Sequence, residues 1–185
     1  KKISKLGYRG LETVEMSYVD HRVPDTNVLG GEEGLGNGRK YALSALELGR
    51  INVASRAVGV AQAAFDAAMA YAQERETFGQ PIFKHQAIQF KLAEMATKLQ
   101  AARLMTYDAA ARADAGERVD MEAGMAKLFA SEAAYEIATD ALRIHGGNGY
   151  TTEYPVERYF RDTPLMIIGE GTSEIQKMVI ARKLL

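Results

Sequence analysis

One stretch of the chain leaves little choice of fold. Ile88, Leu92, Met95, Leu99, Ala102, Thr106, Ala109 and Ala113 recur in alternating steps of four and three. That period lines these side chains along one seam of an α-helix and requires other helices to cover it. A second stripe, Ala126, Phe129, Ala133, Ile137, Ala141 and Ile144, predicts another long helix, with Asp120 as its N-cap and His145-Gly146-Gly147-Asn148-Gly149 as its stop. Upstream, Tyr41 to Glu74 reads as a long helix, apolar nearly all round between Val53 and Ala72 and so buried on several sides. Phe78-Gly79-Gln80-Pro81 breaks it. Pro155 suits the first turn of a short helix through Arg161. The last helix opens at Ser173, which stands at capping-box spacing from Gln176. Three long helices and a shorter fourth with brief connections predict a mainly α protein, an antiparallel four-helix bundle.

The first residues have another texture. Val14, Met16 and Tyr18 alternate with Glu15, Ser17 and Val19, as in a strand with one buried face, and Lys1 to Val19 as a whole reads as strands. Val23-Pro24-Asp25 forms a loop, and a glycine-rich connector runs from Gly30 to Gly38. A strand or two is not stable alone. The expected division is therefore residues 1–36, the end of a truncated β domain with its linker, and residues 37–185, the helical bundle.

Several function classes fall away. A net charge of −1 on a chain that is 25% charged gives no basic face for nucleic acid. No apolar run reaches the roughly 18 residues of a membrane span. The absence of cysteine removes disulfides, thiolate nucleophiles and cysteine-based zinc sites. His21, His85 and His145 lie far apart with no H-E-x-x-H pair, so no metal site is expected. No signal or transit pattern opens the chain, which reads as beginning inside a fold.

Four constellations could carry chemistry. In Gly169-Glu170-Gly171-Thr172-Ser173-Glu174 a carboxylate sits on a glycine-flanked loop just before a helix. Glycines admit close approach of a ligand, and free N–H groups at a helix start favour anions. Desolvated by a ligand, such a glutamate can act as a general base; left in water, it is a loop residue favoured by the helix dipole. Arg75-Glu76-Thr77-Phe78-Gly79-Gln80-Pro81 with His85-Gln86 gathers a cation, a hydroxyl, an aromatic ring and amide or imidazole donors. That set suits a phosphorylated, ring-bearing ligand, or a plain interhelical turn. Gly49, within Glu47-Leu48-Gly49-Arg50, sits mid-helix at a cost of about 1 kcal/mol, explained by close packing or by a ligand. Gly146 and Gly147 fit a helix C-cap, with pyrophosphate contact as the alternative. Gly34-Leu35-Gly36-Asn37-Gly38 lacks the βαβ context of a dinucleotide loop and reads as a linker.

Taken together and in order, these phrases resemble the acyl-CoA dehydrogenase family. The matching runs are Leu46–Arg50, Arg75–Gly79, His145–Tyr150, Glu153–Arg158, Arg161-Asp162 and Glu170–Gln176. The resemblance implies a C-terminal four-helix bundle preceded by the last strands of a middle β domain. It implies α,β-dehydrogenation of an acyl-CoA with FAD as cofactor and an electron-transfer flavoprotein as electron acceptor, or an oxidase sending electrons to oxygen. Glu170 matches the usual base before Gly-Thr. The isovaleryl-type minority places its base on the long helix directly before the arginine that Arg50 matches, and here that position is Gly49, which has no carboxylate. By the same resemblance Arg75, Thr77, Phe78, His85, Gln86, Arg143, Gly147, Thr172 and Glu174 correspond to FAD-contacting positions. Glu47, Arg50 and Gly171 correspond to substrate-side positions. Because the family draws the Arg75–Gln86 contacts from a neighbouring subunit, a homo-oligomer, dimer or tetramer, is implied. The 185 residues alone are expected to be an inactive assembly module. The implied compartment is the cytoplasm of a bacterium or the mitochondrial matrix of a eukaryote. Three departures stand out: Arg143 replaces a frequent glutamine, Gly169 a frequent tyrosine beside the base, and the linker Gly34 to Lys40 is slightly longer than usual and lacks a common aromatic.

Overall fold

The computed structural model describes all 185 residues. Three long helices dominate it: α1 (Gly38–Glu74), α2 (Gln86–Asp114) and α3 (Asp120–His145). Two short helices, α4 (Val156–Asp162) and α5 (Pro164–Ile168), lead to α6 (Ser173–Leu184). α3 is the centre of the bundle, packing on α1, α2 and α6. Short connections make successive long helices antiparallel.

The seam of α2 is buried at Met95, Leu99, Ala102, Thr106 and Ala109. Thirteen of the 21 residues in the core cluster are alanines. A methyl group buries little area, on the order of 0.8 kcal/mol each, but it lets helix axes approach closely. The larger buried side chains, Met95, Ile137, Val156 and Met166, fill the gaps between those alanine faces.

Several local expectations are corrected. α1 begins at Gly38 rather than Tyr41, and it buries one face, Val53, Ala54, Ala57, Ala61, Ala64, Ala68 and Ala72, while Arg56, Gly59 and Asp66 are exposed. Alanine is apolar enough to line a core and small enough to sit in water, so an alanine-rich helix looks apolar all round when it is not buried all round. The stripe on α3 runs through Ala126, Ala130, Ala133, Ala134 and Ile137, and Phe129 is exposed. Asp120 is the first helical residue; Val119 is the N-cap, and the Asp120 carboxylate instead pairs with Arg118 at 3.0 Å and Lys183 at 3.2 Å. Pro155 is the N-cap of α4, and α5 opens on Pro164.

The N-terminal strands shrink to one antiparallel ladder, β1 (Lys2–Ile3) with β2 (Thr13–Val14). Val14, Met16 and Tyr18 do not share a buried face; all three are exposed, because two strands this short have no second layer to pack on. The segment is nevertheless anchored: the Tyr8 amide donates to Asp162 Oδ1 at 2.7 Å, and Gly7 lies where a Cβ would strike the Arg161 carbonyl.

Candidate active site

The loop between α5 and α6 carries the candidate base. Glu170 takes φ 54° and Gly171 φ 90°, two successive left-handed residues. For a non-glycine residue this conformation costs roughly 1–2 kcal/mol and persists only where surrounding contacts enforce it. The enforcing contacts are visible. The Gln176 side-chain amide donates to the carbonyls of Glu170, 3.0 Å, and Gly171, 2.9 Å. The Lys127 ammonium donates to Gly171 O, 2.8 Å, and Ile167 O, 2.9 Å. Thr172, not Ser173, caps α6, its hydroxyl accepting from the Ile175 amide at 3.4 Å. Ser173 is turned inward and donates to Glu132 at 2.6 Å. The anticipated capping box is thus replaced by a buried set in which Gln176 serves the base loop.

The Glu170 side chain reaches over α1 at Gly49. A Cβ at position 49 would stand 2.5 Å from Glu170 Oε2, so the carboxylate occupies the volume that a side chain there would fill. One residue on, Arg50 is buried to 9% exposure, and its Nε has no hydrogen-bond partner. An unpartnered buried donor on the residue after Gly49 is a polar handle for a ligand oxygen. Glu47, anticipated on the substrate side, accepts from the Val119 amide at 2.8 Å and so tethers the start of α3. Glu174 lies exposed in the first turn of α6; its own backbone N–H, with the Thr172 hydroxyl, holds its carboxylate below the usual range.

A second cluster forms at the other end of the bundle. Glu76-Thr77 (β3) and Gln80-Pro81 (β4) make a tight hairpin whose turn residues, Phe78 and Gly79, have φ 50° and 76°. Positive φ at both is the signature of a type I′ turn. His85 is flanked by Thr77 Oγ1, 3.0 Å from Nε2, and Gln80 Nε2, 3.3 Å from Nδ1. Phe78 stands 97% exposed at the tip. Arg75 and Gln86 are exposed too, and Arg75 makes no ion pair. Arg143, mostly exposed and 3.6 Å from Asp140, and Gly147 lie nearby at the end of α3. Beneath them His145 stacks on Tyr71 with ring centroids 4.2 Å apart, and Asn148 donates to the Tyr71 hydroxyl at 2.9 Å. Burial lowers the His145 pKa, against the hydrogen bond to Ala141 O.

The anticipated residues therefore divide. Glu170, Gly171, Thr172, Glu174, Glu47 and Arg50 share one end; Arg75, Thr77, Phe78, His85, Gln86, Arg143 and Gly147 share the other. Gly49 and Arg75 stand about seven turns apart on α1, roughly 40 Å at about 1.5 Å per residue. Lys127 was not among the anticipated residues. The one signal for it was a lone cation in register with Ala123, Ala130 and Ala134 on the inner face of α3.

Residues 36–185 match the family described as acyl-CoA dehydrogenase, C-terminal domain. The chain belongs to the acyl-CoA dehydrogenase family. It is similar to the Probable acyl-CoA dehydrogenase YngJ of Bacillus subtilis, 54% identical over 181 residues that cover 98% of this chain and 47% of the relative. The human mitochondrial short-chain specific acyl-CoA dehydrogenase is 50% identical over the whole chain, which spans 44% of it. Among solved structures, butyryl-CoA dehydrogenase from Megasphaera elsdenii superposes with a TM-score of 0.95 at 43% identity, covering all of this chain and 47% of that one. The chain thus spans about half the length of the relatives it matches.

Proposed function

We propose that the chain is the C-terminal portion of an FAD-dependent acyl-CoA dehydrogenase in which Glu170 removes the α-proton of the acyl-CoA thioester. The observation that carries this reading is the Glu170 carboxylate, held on a left-handed loop over the side-chain-free Gly49, the helix residue that precedes Arg50 with its buried, unpartnered Nε. A base at that position needs a fixed aim and a substrate within hydrogen-bond reach. Arg50, the residue after Gly49, supplies a cation on that turn of α1, and Gly171 adds no side chain beside the base.

FAD fits the donor set at the hairpin end: an aromatic ring at Phe78, an unpaired cation at Arg75, and Thr77, His85 and Gln86 for hydrogen bonds to phosphate or base edges. When bound, FAD would supply the acceptor for the β-hydrogen, which leaves as hydride. Arg143, Gly147, Thr172 and Glu174 are proposed as further cofactor contacts, and Glu47 as a support for the substrate-side end of α1. The two clusters are too far apart within one chain to reach the same isoalloxazine and adenosine ends from a single copy, which supports a homo-oligomer. An exposed apolar groove of about 520 Å³ among Met105, Met125, Leu128, Phe129 and Ile180 supports it too.

Residues 1–36 are proposed as the end of a β domain with its linker. Exposed Val14, Met16, Tyr18 and Val19 support that assignment, as does the family match beginning at residue 36. An electron-transfer flavoprotein is the proposed electron acceptor. With its site divided in this way, the isolated 185-residue chain is proposed to be inactive.

Replacing Glu170 by Gln in the complete enzyme tests the base. The variant should keep a yellow, bound flavin but lose its bleaching by acyl-CoA by a factor on the order of 10² to 10⁴. Bleaching at the parental rate would remove Glu170 from the role. The chain purified by itself should hold no stoichiometric FAD.

A further inference from the structure

We propose that Lys127 is a positioning residue for the base: its buried ammonium fastens the strained loop that aims Glu170. This inference rests on the reading of Glu170 as the base.

Lys127 has 0% exposure, which is rare for a lysine and costly unless the charge is satisfied. No carboxylate lies within ion-pair distance of it. Its donors go instead to two carbonyls, Ile167 O at 2.9 Å and Gly171 O at 2.8 Å. Those two carbonyls flank the loop: one lies in the last turn of α5, and the other directly follows the base. Between them lie Ile168, Gly169 and Glu170 at φ 54°, and Gly171 itself has φ 90°. One ammonium therefore spans the segment from both sides, and the Gln176 amide holds Glu170 O and Gly171 O from α6.

The arrangement has a directional consequence. A left-handed non-glycine residue relaxes toward commoner backbone angles when its restraints go. Relaxation at Glu170 swings the carboxylate off Gly49, and the gap between a productive and an unproductive base is about 1 Å. An apolar side chain at 127 would leave two buried carbonyls without donors, so the loop would reorganise to satisfy them. Arg50, Glu132, Glu170 and Glu174 are the charged groups around the ammonium, and burial, the largest influence, lowers its pKa. The geometric clamp needs only donors, whether or not they carry charge.

The test uses the complete enzyme with bound FAD and compares Lys127→Met, Lys127→Gln and Glu170→Gln. Flavin reduction in a single turnover is measured across acyl-CoA concentrations, separating the reduction rate from substrate affinity. Lys127→Met removes the donors; reduction should slow by about tenfold or more with affinity changed by less than about twofold. Lys127→Gln keeps two N–H donors without charge and should recover a large part of that loss. A soluble, flavin-loaded Lys127→Met enzyme reducing at the parental rate overturns the inference. Equal slowing in Met and Gln also overturns it, since donors then do not matter. If Lys127→Met yields no soluble enzyme, Lys127→Gln decides: a rate well above that of Glu170→Gln at unchanged affinity supports the clamp, and a rate as low as Glu170→Gln overturns it. Separately, Glu170→Gln bleaching at the parental rate would sink the base assignment itself, whatever the Lys127 variants do.

Discussion

The two ends of the bundle are built on opposite plans. At the Glu170 end the polar groups are turned inward: Lys127, Ser173 and Gln176 are buried, and three loop carbonyls are held by donors from α3 and α6. At the hairpin end they are turned outward: Phe78 is almost fully exposed, and Arg75 and Gln86 face solvent. One end fixes an aim, and the other presents a surface. A group that must meet a reacting atom needs a rigid frame, whereas groups that await a partner are set on a stiff hairpin and left open.

Variants can break this contrast. Gly49→Ala should have the largest effect, because its Cβ would fall 2.5 Å from Glu170 Oε2. Displacing the carboxylate by about 1 Å should slow flavin reduction by on the order of 10²-fold. The thermal midpoint should hardly move, and calorimetry beside stopped-flow absorbance checks both. Gly171→Ala comes next: a Cβ at φ 90° would also press within 2.8 Å of Gln176 Nε2. It should destabilise the fold by about 1–3 kcal/mol, visible as a lower midpoint in urea.

The hairpin end should answer to pH instead. Burial holds His145 below its ordinary pKa of about 6.5, so the unfolded chain binds the proton more readily. The stabilisation from the neutral ring is present above that ordinary value and declines as pH falls toward the lowered one. Melting of the parent should therefore drop between neutral pH and about pH 5, and His145→Gln should flatten the decline. Phe78→Ala should be the mildest, within about 0.5 kcal/mol of the parent in stability. Its effect should appear only in FAD retention or subunit association of the complete enzyme, measured by flavin absorbance after gel filtration.

The bundle was readable because its signal is periodic. The α2 seam from Met95 to Ala109 is buried as its spacing predicts. Periodicity failed where residue chemistry does not choose a side, as with the alanines of α1, and where one residue of phase separates Phe129 from Ala130. The short α5 escaped notice because five residues carry no period. Of the site, the loop bearing Glu170 was legible from its glycines and its place before a helix. The clamp was not. Lys127 and Gln176 are 43 and 6 residues from Glu170, and only tertiary packing brings their donors onto its loop. The Asp120 and Ser173 expectations failed for a related reason: both side chains found long-range partners, Lys183 and Glu132, in place of local caps.

The overlap of Gly49 with the Glu170 carboxylate sets a rule of exclusion. The two positions, one on a helix and one on a loop, address a single volume, and two carboxylates forced into it would repel until one took up a proton. On the role proposed for Glu170, a carboxylate gained at 49 is compatible with this fold only when the one at 170 is lost. A carboxylate added at 49 alone would crowd the site.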